Sequence, residues 1–192
     1  MSNVLINYII IRQGRPVFLG EKLFKVFYPT IEIASAYDIP YEKYFESGKR
    51  GIIYDIDNTL VMHGAPADER SIELFKKLKE LGFKTVLLSN NKEPRVKSFA
   101  DDVGSMYLHK AGKPLLKGYK RAMEMMDTDP SSTLFVGDQL FTDVWGANRA
   151  GIETVLTSPI DPKEEIQIVL KRKLEKIVLK SYHKKNRQKQ VL

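Results

Sequence analysis

The sequence predicts an α/β fold, a doubly wound, three-layer, Rossmann-like arrangement around a mostly parallel five-stranded sheet. Three observations predict it. From Gly51 to Ser158, short β-branched apolar runs alternate with segments whose apolar residues recur at helical spacing, the signature of repeated βα units. Asp55, Asp57, Ser89, Lys113 and Asp138 all follow or end such runs. In doubly wound sheets the ligand site lies at the carboxyl ends of the strands, whereas polar residues without a shared role would divide between both ends. The length of 192 residues, 43% of them hydrophobic and 29% charged, suits one such domain with extensions.

Residues 1–50 read as a partly helical N-terminal extension. "EKLFKVFYP" (21–29) places Leu23, Phe24 and Phe27 at helical spacing and stops at Pro29, since proline cannot continue a helix. "IEIASAYDIPYEKYFESGKR" mixes turn formers and aromatics without a period. The core is expected over 51–160. "GIIYD" (51–55) is a strand running into the turn "IDNT". "ERSIELFKKLKELG" (69–82) is a helix with Ile72, Phe75, Leu78 and Leu81 on one face and Gly82 at its C-terminal cap. "KTVLLS" (84–89) is the second strand. "NKEPRVKSFADDVG" (91–104) is a helix capped by Asn91, with Pro94 tolerated in the first turn. "SMYLH" (105–109), "STLFVG" (132–137) and "IETVLTS" (152–158) are strands, separated by helices over 114–126 and 142–151.

Beyond the core, residues 161–182 read as a basic amphipathic helix opened by Pro162. Its apolar stripe would be Ile166, Val169, Leu170, Leu174, Ile177 and Val178, with lysines around it. Residues 183–192 read as a disordered basic tail. The net charge of +7 resides here: residues 163–192 hold ten Lys or Arg against three Glu, which leaves 1–162 neutral. Such a segment suits an anionic partner, either lipid headgroups or nucleic acid. It equally suits a helix that packs on the sheet with its charges in water.

Composition also excludes function classes. The chain has no cysteine, which removes disulfides, thiolate zinc sites and a cysteine nucleophile and fits a reducing cytoplasm. No run approaches the roughly 20 apolar residues of a membrane span. "VLINYIIIR" from Val4 is short, contains Asn7, and lacks the flanks of a signal peptide. His63, His109 and His183 share no ligand spacing.

The convergent residues define a chemistry. Asp55, Asp57, Asp138 and Asp143 would repel one another without a cation, and an oxygen-rich site with open positions suits Mg²⁺. A phosphate group would complete the balance, with Lys113 as a second cation and Ser89 as a hydroxyl donor. In that setting Asp55 can attack phosphorus and Asp57 can move the protons.

"DIDNT" (55–59), "LLSNN" (87–91), "GKP" (112–114) and "GDQLFTD" (137–143) resemble, in order, the four motifs of the haloacid dehalogenase (HAD) superfamily of phosphohydrolases. The resemblance covers about residues 50–158. It implies Asp55 as nucleophile, Asp57 as acid/base, and Ser89 and Lys113 as phosphate holders. It implies Mg²⁺ held by Asp55, Asp138 and the backbone carbonyl of Asp57, with Asp143 as an outer or water-mediated partner. The intervals from Asp57 to Ser89 and from Ser89 to Lys113 are used up by one helix and one strand each, so no cap domain fits. The motif wording is similar to the YqeG-type, subclass IIIA phosphatases, which resemble the mitochondrial-type phosphatidylglycerophosphate phosphatases.

Three functions follow as expectations. The first is hydrolysis of a phosphate monoester on a lipid headgroup, phosphatidylglycerophosphate leading, at the cytoplasmic face of an anionic membrane. The second is a phosphatase on nucleic-acid ends or nucleotides. The third is a non-enzymatic ribosome-associated or assembly factor of the same fold. Arg95 and Lys97 sit near the expected rim, where they can meet an anionic headgroup or simply solvent.

Overall fold

The computed structural model describes residues 9–12, 15–18, 24–161 and 166–190, with side chains over 24–161 and 173–187. Strands β1 (Ile9–Arg12) and β2 (Arg15–Phe18) form an antiparallel hairpin. The main sheet is built from β3 (Ile31–Ile33), β4 (Gly51–Tyr54), β5 (Lys84–Leu88), β6 (Met106–Leu108), β7 (Thr133–Gly137) and β8 (Glu153–Thr157). Its order is β3-β8-β7-β4-β5-β6, with every neighbouring pair parallel. Helices α1 (Tyr41–Glu46), α2 (Glu69–Leu81), α3 (Glu93–Val103), α4 (Leu116–Met126), α5 (Trp145–Arg149) and α6 (Ile166–Gln190) complete the described elements.

The layers follow from the alternation of β4. All four of its residues are buried, and successive side chains face opposite sides of a strand. Ile52 and Tyr54 pack with Leu74, Phe75 and Leu78 of α2 and Val96, Phe99 and Val103 of α3. Ile53 packs on the other face with Tyr119, Ala122, Met123 and Met126 of α4 and Ala147 of α5. Two helical layers therefore enclose one sheet. β4 pairs with β5 on one side and β7 on the other. The chain winds outward from β4 to β6, then crosses back to β7. This reversal opens a crevice at the carboxyl end of β4, where Asp55 follows.

Several expectations change. The sheet has six strands rather than five, and the sixth, β3, comes from the segment read as an extension. Its three residues, "IEI", are too few to show a period, and they are largely exposed at the sheet edge. Ala36, Ile39 and Tyr41, from the same segment, belong to the main core. Over 24–29 the expected helix is a single 3₁₀ turn at Lys25–Phe27, and Leu23 lies outside the described residues.

On α2 the buried residues are Ser71, Leu74, Phe75 and Leu78, and Ile72 is exposed. A strict spacing of three drifts off a face whose true period is 3.6. The first turn is closed by a capping box in which Asp68 accepts from Ser71 N–H, and Gly82 takes the left-handed cap conformation at φ 95°. Residues 140–144 form a π-helical turn before α5. The C-terminal helix runs on to Gln190, past residue 182, through the segment read as a disordered tail. Its described buried side chains are Glu175, Val178 and Tyr182, whereas Leu174 and Ile177 stand 52% and 55% exposed. Ile166, Val169 and Leu170 lie outside the described side chains. The helix is turned this way because Tyr182 packs on Tyr28 at 5.5 Å and Glu175 accepts Leu140 N–H at 2.7 Å.

Candidate active site

The backbone of β4 hands Asp55 to the sheet edge: its N–H still donates to Val136 O, at 2.9 Å. The chain then turns sharply through Asn58, in the left-handed region at φ 62°, where asparagine is among the few side chains tolerated. Leu60 N–H and Thr59 N–H return to Ile56 O. Asp55 and Asp57 are both buried, yet they face different partners.

Asp55 belongs to a charged cluster. Lys113 Nζ donates to Asp55 Oδ1 and to Asp143 Oδ1, each at 2.7 Å. Lys113 reaches the site because Asn90 clamps its backbone, accepting its N–H at 2.8 Å and donating to its carbonyl at 3.2 Å. Asp143, fully buried on the π-helical turn, also accepts Gln139 N–H at 3.1 Å. It lies so close to β7 that a Cβ at Gly137 would stand 2.8 Å from its carboxyl carbon. Tyr119 OH pins the same turn by donating to Thr142 O at 2.7 Å. Glu175 caps it from α6.

Electrostatics follow from burial. Burial pushes the Asp55 carboxyl up to about 6; Lys113 pulls it down, and the charges of Asp143 and Asp57 add to the rise. For the Lys113 ammonium, burial acts to lower the pKa, but Asp143 and Asp55 outweigh it and the net shift is upward. Burial and Asp143 raise the Tyr119 hydroxyl.

Carboxylate oxygens of Asp55, Asp138 and Asp143 lie within 4.8 Å of one another, all three residues buried. Thr59 Oγ1 donates to Asp138 Oδ1 at 3.3 Å. Lys113 is bonded to two of these three buried carboxylates. A hard divalent cation that takes oxygen ligands fits this donor set.

Asp57 points away from that cluster. Its Oδ1 accepts Gly64 N–H at 2.8 Å and Arg95 Nη2 at 3.1 Å, and its Oδ2 accepts Asn91 Nδ2 at 2.6 Å. Ser89, at the end of β5, is buried, and its Oγ accepts Asn91 N–H at 3.2 Å. Its own O–H hydrogen remains to donate to a ligand. The structure thus gathers Asp55, Lys113, Asp138 and Asp143 in one cluster, with Asp57 and Ser89 on the α3 side.

Sequence reading assigned Asn91 to a helix cap. Lys92 occupies the N-cap instead, without a side-chain cap, and Asn91 serves Asp57. Asn90, Thr59, Tyr119 and Glu175 also went unread. The doubled asparagine after Ser89 was the available signal for the first two contacts. Contacts to Tyr119 and Glu175 cross between distant elements and leave no local pattern. Of the histidines that share no ligand spacing, His109 and His183 pair with Glu93 and Glu32.

Comparison with known proteins bears on this site. The profile of the haloacid dehalogenase-like hydrolases matches residues 65–151. The chain is 38% identical over 162 residues, 84% of its length and 94% of the relative's, to the "Probable phosphatase YqeG" of Bacillus subtilis (strain 168). It is 30% identical over 172 residues to "Phosphatidylglycerophosphate phosphatase 1, chloroplastic/mitochondrial" of Arabidopsis thaliana, covering 82% of this chain and 48% of that one. Among solved structures, the cobalt-bound deoxy-D-mannose-octulosonate 8-phosphate phosphatase (YrbI) of Haemophilus influenzae aligns over 70% of this chain and 90% of its own. Its TM-score is 0.49 and its identity 15%.

Proposed function

The chain belongs to the haloacid dehalogenase-like hydrolases and is a phosphatase, and on that premise we propose that it hydrolyses the phosphate monoester of phosphatidylglycerophosphate with Mg²⁺, through an aspartyl-phosphate on Asp55. The observation that carries the reading is the split between the two carboxylates. Asp55 is held by Lys113 in the acidic cluster, and Asp57 is held apart by Gly64, Asn91 and Arg95. This split supports Asp55 as the group that bonds to phosphorus and Asp57 as the one that handles protons.

Asp55, Asp138, Asp143 and the backbone carbonyl of Asp57 are the groups that would hold Mg²⁺. The ion would supply positive charge against the phosphoryl oxygens as bonds change. Lys113 holds Asp55 Oδ1, which leaves Oδ2 to attack phosphorus. As that P–O bond forms, the ester P–O bond breaks, and Asp57, entering the step protonated, gives that proton to the departing alkoxide. A water then loses a proton to Asp57 and attacks the same phosphorus, which frees phosphate and restores Asp55. Ser89 O–H and Lys113 would steady the phosphoryl oxygens throughout.

The lipid substrate is supported by the relative from Arabidopsis thaliana, whose name states that activity, and by the open mouth. Met62 and Leu115, on the loops beside Asp57 and Lys113, are 54% and 64% exposed. Contact with an anionic membrane is supported by α6, where exposed Leu174 and Ile177 stand among Lys173, Lys176, Lys180 and Lys184. A basic amphipathic surface of this kind suits a lipid headgroup layer.

The test is phosphate release from phosphatidylglycerophosphate in mixed micelles with Mg²⁺. Wild type releases phosphate, and Asp55→Asn lowers the rate by about a thousandfold or more, as expected for loss of a nucleophile, while its circular dichroism is unchanged. An inert wild type on the lipid would exclude this substrate. An active Asp55→Asn would exclude the covalent route.

A further inference from the structure

Asp57 fixes the direction in which the substrate extends. To protonate the ester oxygen it must touch it, so the leaving group runs past Asp57, away from Asp55. The side chains met on that side are those bonded to Asp57, and one of them is underused. Arg95 Nη2 donates to Asp57 Oδ1 at 3.1 Å, which engages one of five guanidinium N–H groups. Its Nε is buried with no hydrogen-bond partner. A buried N–H without an acceptor is destabilising. The side chain is held in place over the Phe99 ring, at 5.4 Å from its centroid, and remains 20% exposed at the mouth.

Two lysines lie next to Asn91, which with Arg95 donates to Asp57. Lys92 is exposed at the N-cap of α3. Lys110 is exposed too, and its N–H donates to Asn91 O at 3.0 Å. Glu93, the carboxylate of this turn, is turned to Tyr107 OH at 3.3 Å and to His109 at 3.9 Å. The opposite side is different. There a cavity of about 520 Å³ beside Asp138 is lined by Glu32 and Glu175, with Lys176 as its cation. Basic residues thus gather near Asp57 and acidic ones beside Asp138.

We infer that Arg95, supported by Lys92 and Lys110, binds a second anionic group of the substrate, a phosphodiester one short linker beyond the scissile monoester. The inference rests on the phosphatase reading above and deepens it, because phosphatidylglycerophosphate carries such a diester one glycerol away. Arg95 makes this contact with its remaining donors while Nη2 stays on Asp57, so the diester, Arg95 and Asp57 form one chain of contacts. Arginine suits the role, since its planar fork meets phosphate oxygens in pairs.

The test compares two soluble monoesters, glycerol monophosphate and the deacylated headgroup glycerophosphoglycerol phosphate. They differ in the phosphodiester and the glycerol beyond it. Wild type is expected to favour the headgroup by about tenfold or more in kcat/KM, the range for a polar contact made by one substrate alone. Arg95→Gln collapses that ratio, Arg95→Lys retains part of it, and Lys92→Gln/Lys110→Gln reduces it mainly through KM. Equal use of the two esters by wild type would overturn the inference. So would an Arg95→Gln variant that slows both esters by the same factor, because Arg95 would then act through Asp57 alone. The lipid assignment is judged separately: a retained headgroup preference with no hydrolysis of the intact lipid sinks the lipid substrate and leaves the second-anion site standing.

Discussion

Asp55 carries its own pH record. Burial holds its carboxyl up to about 6, against an ordinary value of 3.8. A divalent cation at this carboxylate must displace a proton below that range. Metal affinity is therefore expected to weaken as pH falls from 7 to 5, which calorimetric titration at several pH values reads directly. Without metal the sign for stability is opposite. A carboxyl whose pKa is raised on folding stabilises the fold at low pH, and that contribution is lost as pH climbs from near 3.8 to about 6. Metal-free wild type should lose melting temperature over that window relative to Asp55→Asn. The position of Asp55, Asp57, Lys113 and Asp138 on the carboxyl side of strands was legible in the sequence because each follows a short apolar run. The contacts of Arg95 were not, because an arginine on a helix face looks the same whether it meets water or Asp57.

At the scale of elements, α2 separates pattern from packing. The sequence places Ile72 and Leu78 on one stripe, but the sheet receives Leu74, Phe75 and Leu78 and leaves Ile72 at 44% exposure. Leu78→Ala should cost about 2–5 kcal/mol by opening a cavity, whereas Ile72→Ala should stay within about 0.5 kcal/mol. Denaturant titration of the two variants checks the assignment; equal losses would mean that the helix is rotated. The same cause explains α6. Its hydrophobic residues surround much of the helix, so periodicity alone does not choose a face. The choice is made by Tyr28 and by Leu140 N–H, distant in sequence. Strand ends in the core were legible to within a residue or two because Gly, Asp and Ser punctuate them. β3 was not legible, because three residues at a sheet edge have neither length nor full burial to mark them.

For the whole molecule, the separation of charge is informative. The body through residue 162 is neutral, and the excess of +7 rides on the C-terminal segment. If α6 meets an anionic bilayer, the full chain should sediment with vesicles rich in phosphatidylglycerol and stay free of vesicles of neutral lipid. Salt should weaken the binding, as it screens surface charge. Leu174→Asp/Ile177→Asp should abolish co-sedimentation, with hydrolysis of soluble monoesters retained, since neither residue touches the catalytic cluster. Binding that ignores lipid charge would contradict the reading. No described helix is long and apolar enough to cross a membrane.

The absence of an inserted domain has a last consequence. Between β4 and α2 there is one loop, and between β5 and β6 there is α3 with its turns, so among the described residues neither interval holds a domain that could swing shut over Asp55. Enzymes that close a lid must first draw the whole reacting molecule inside. On the proposed lipid substrate the phosphate alone would have to enter, and the rest of the molecule could stay where it was made. On a sheet of such molecules the enzyme would search in two dimensions. Its turnover would follow the areal density of phosphate ends rather than their concentration in the surrounding water.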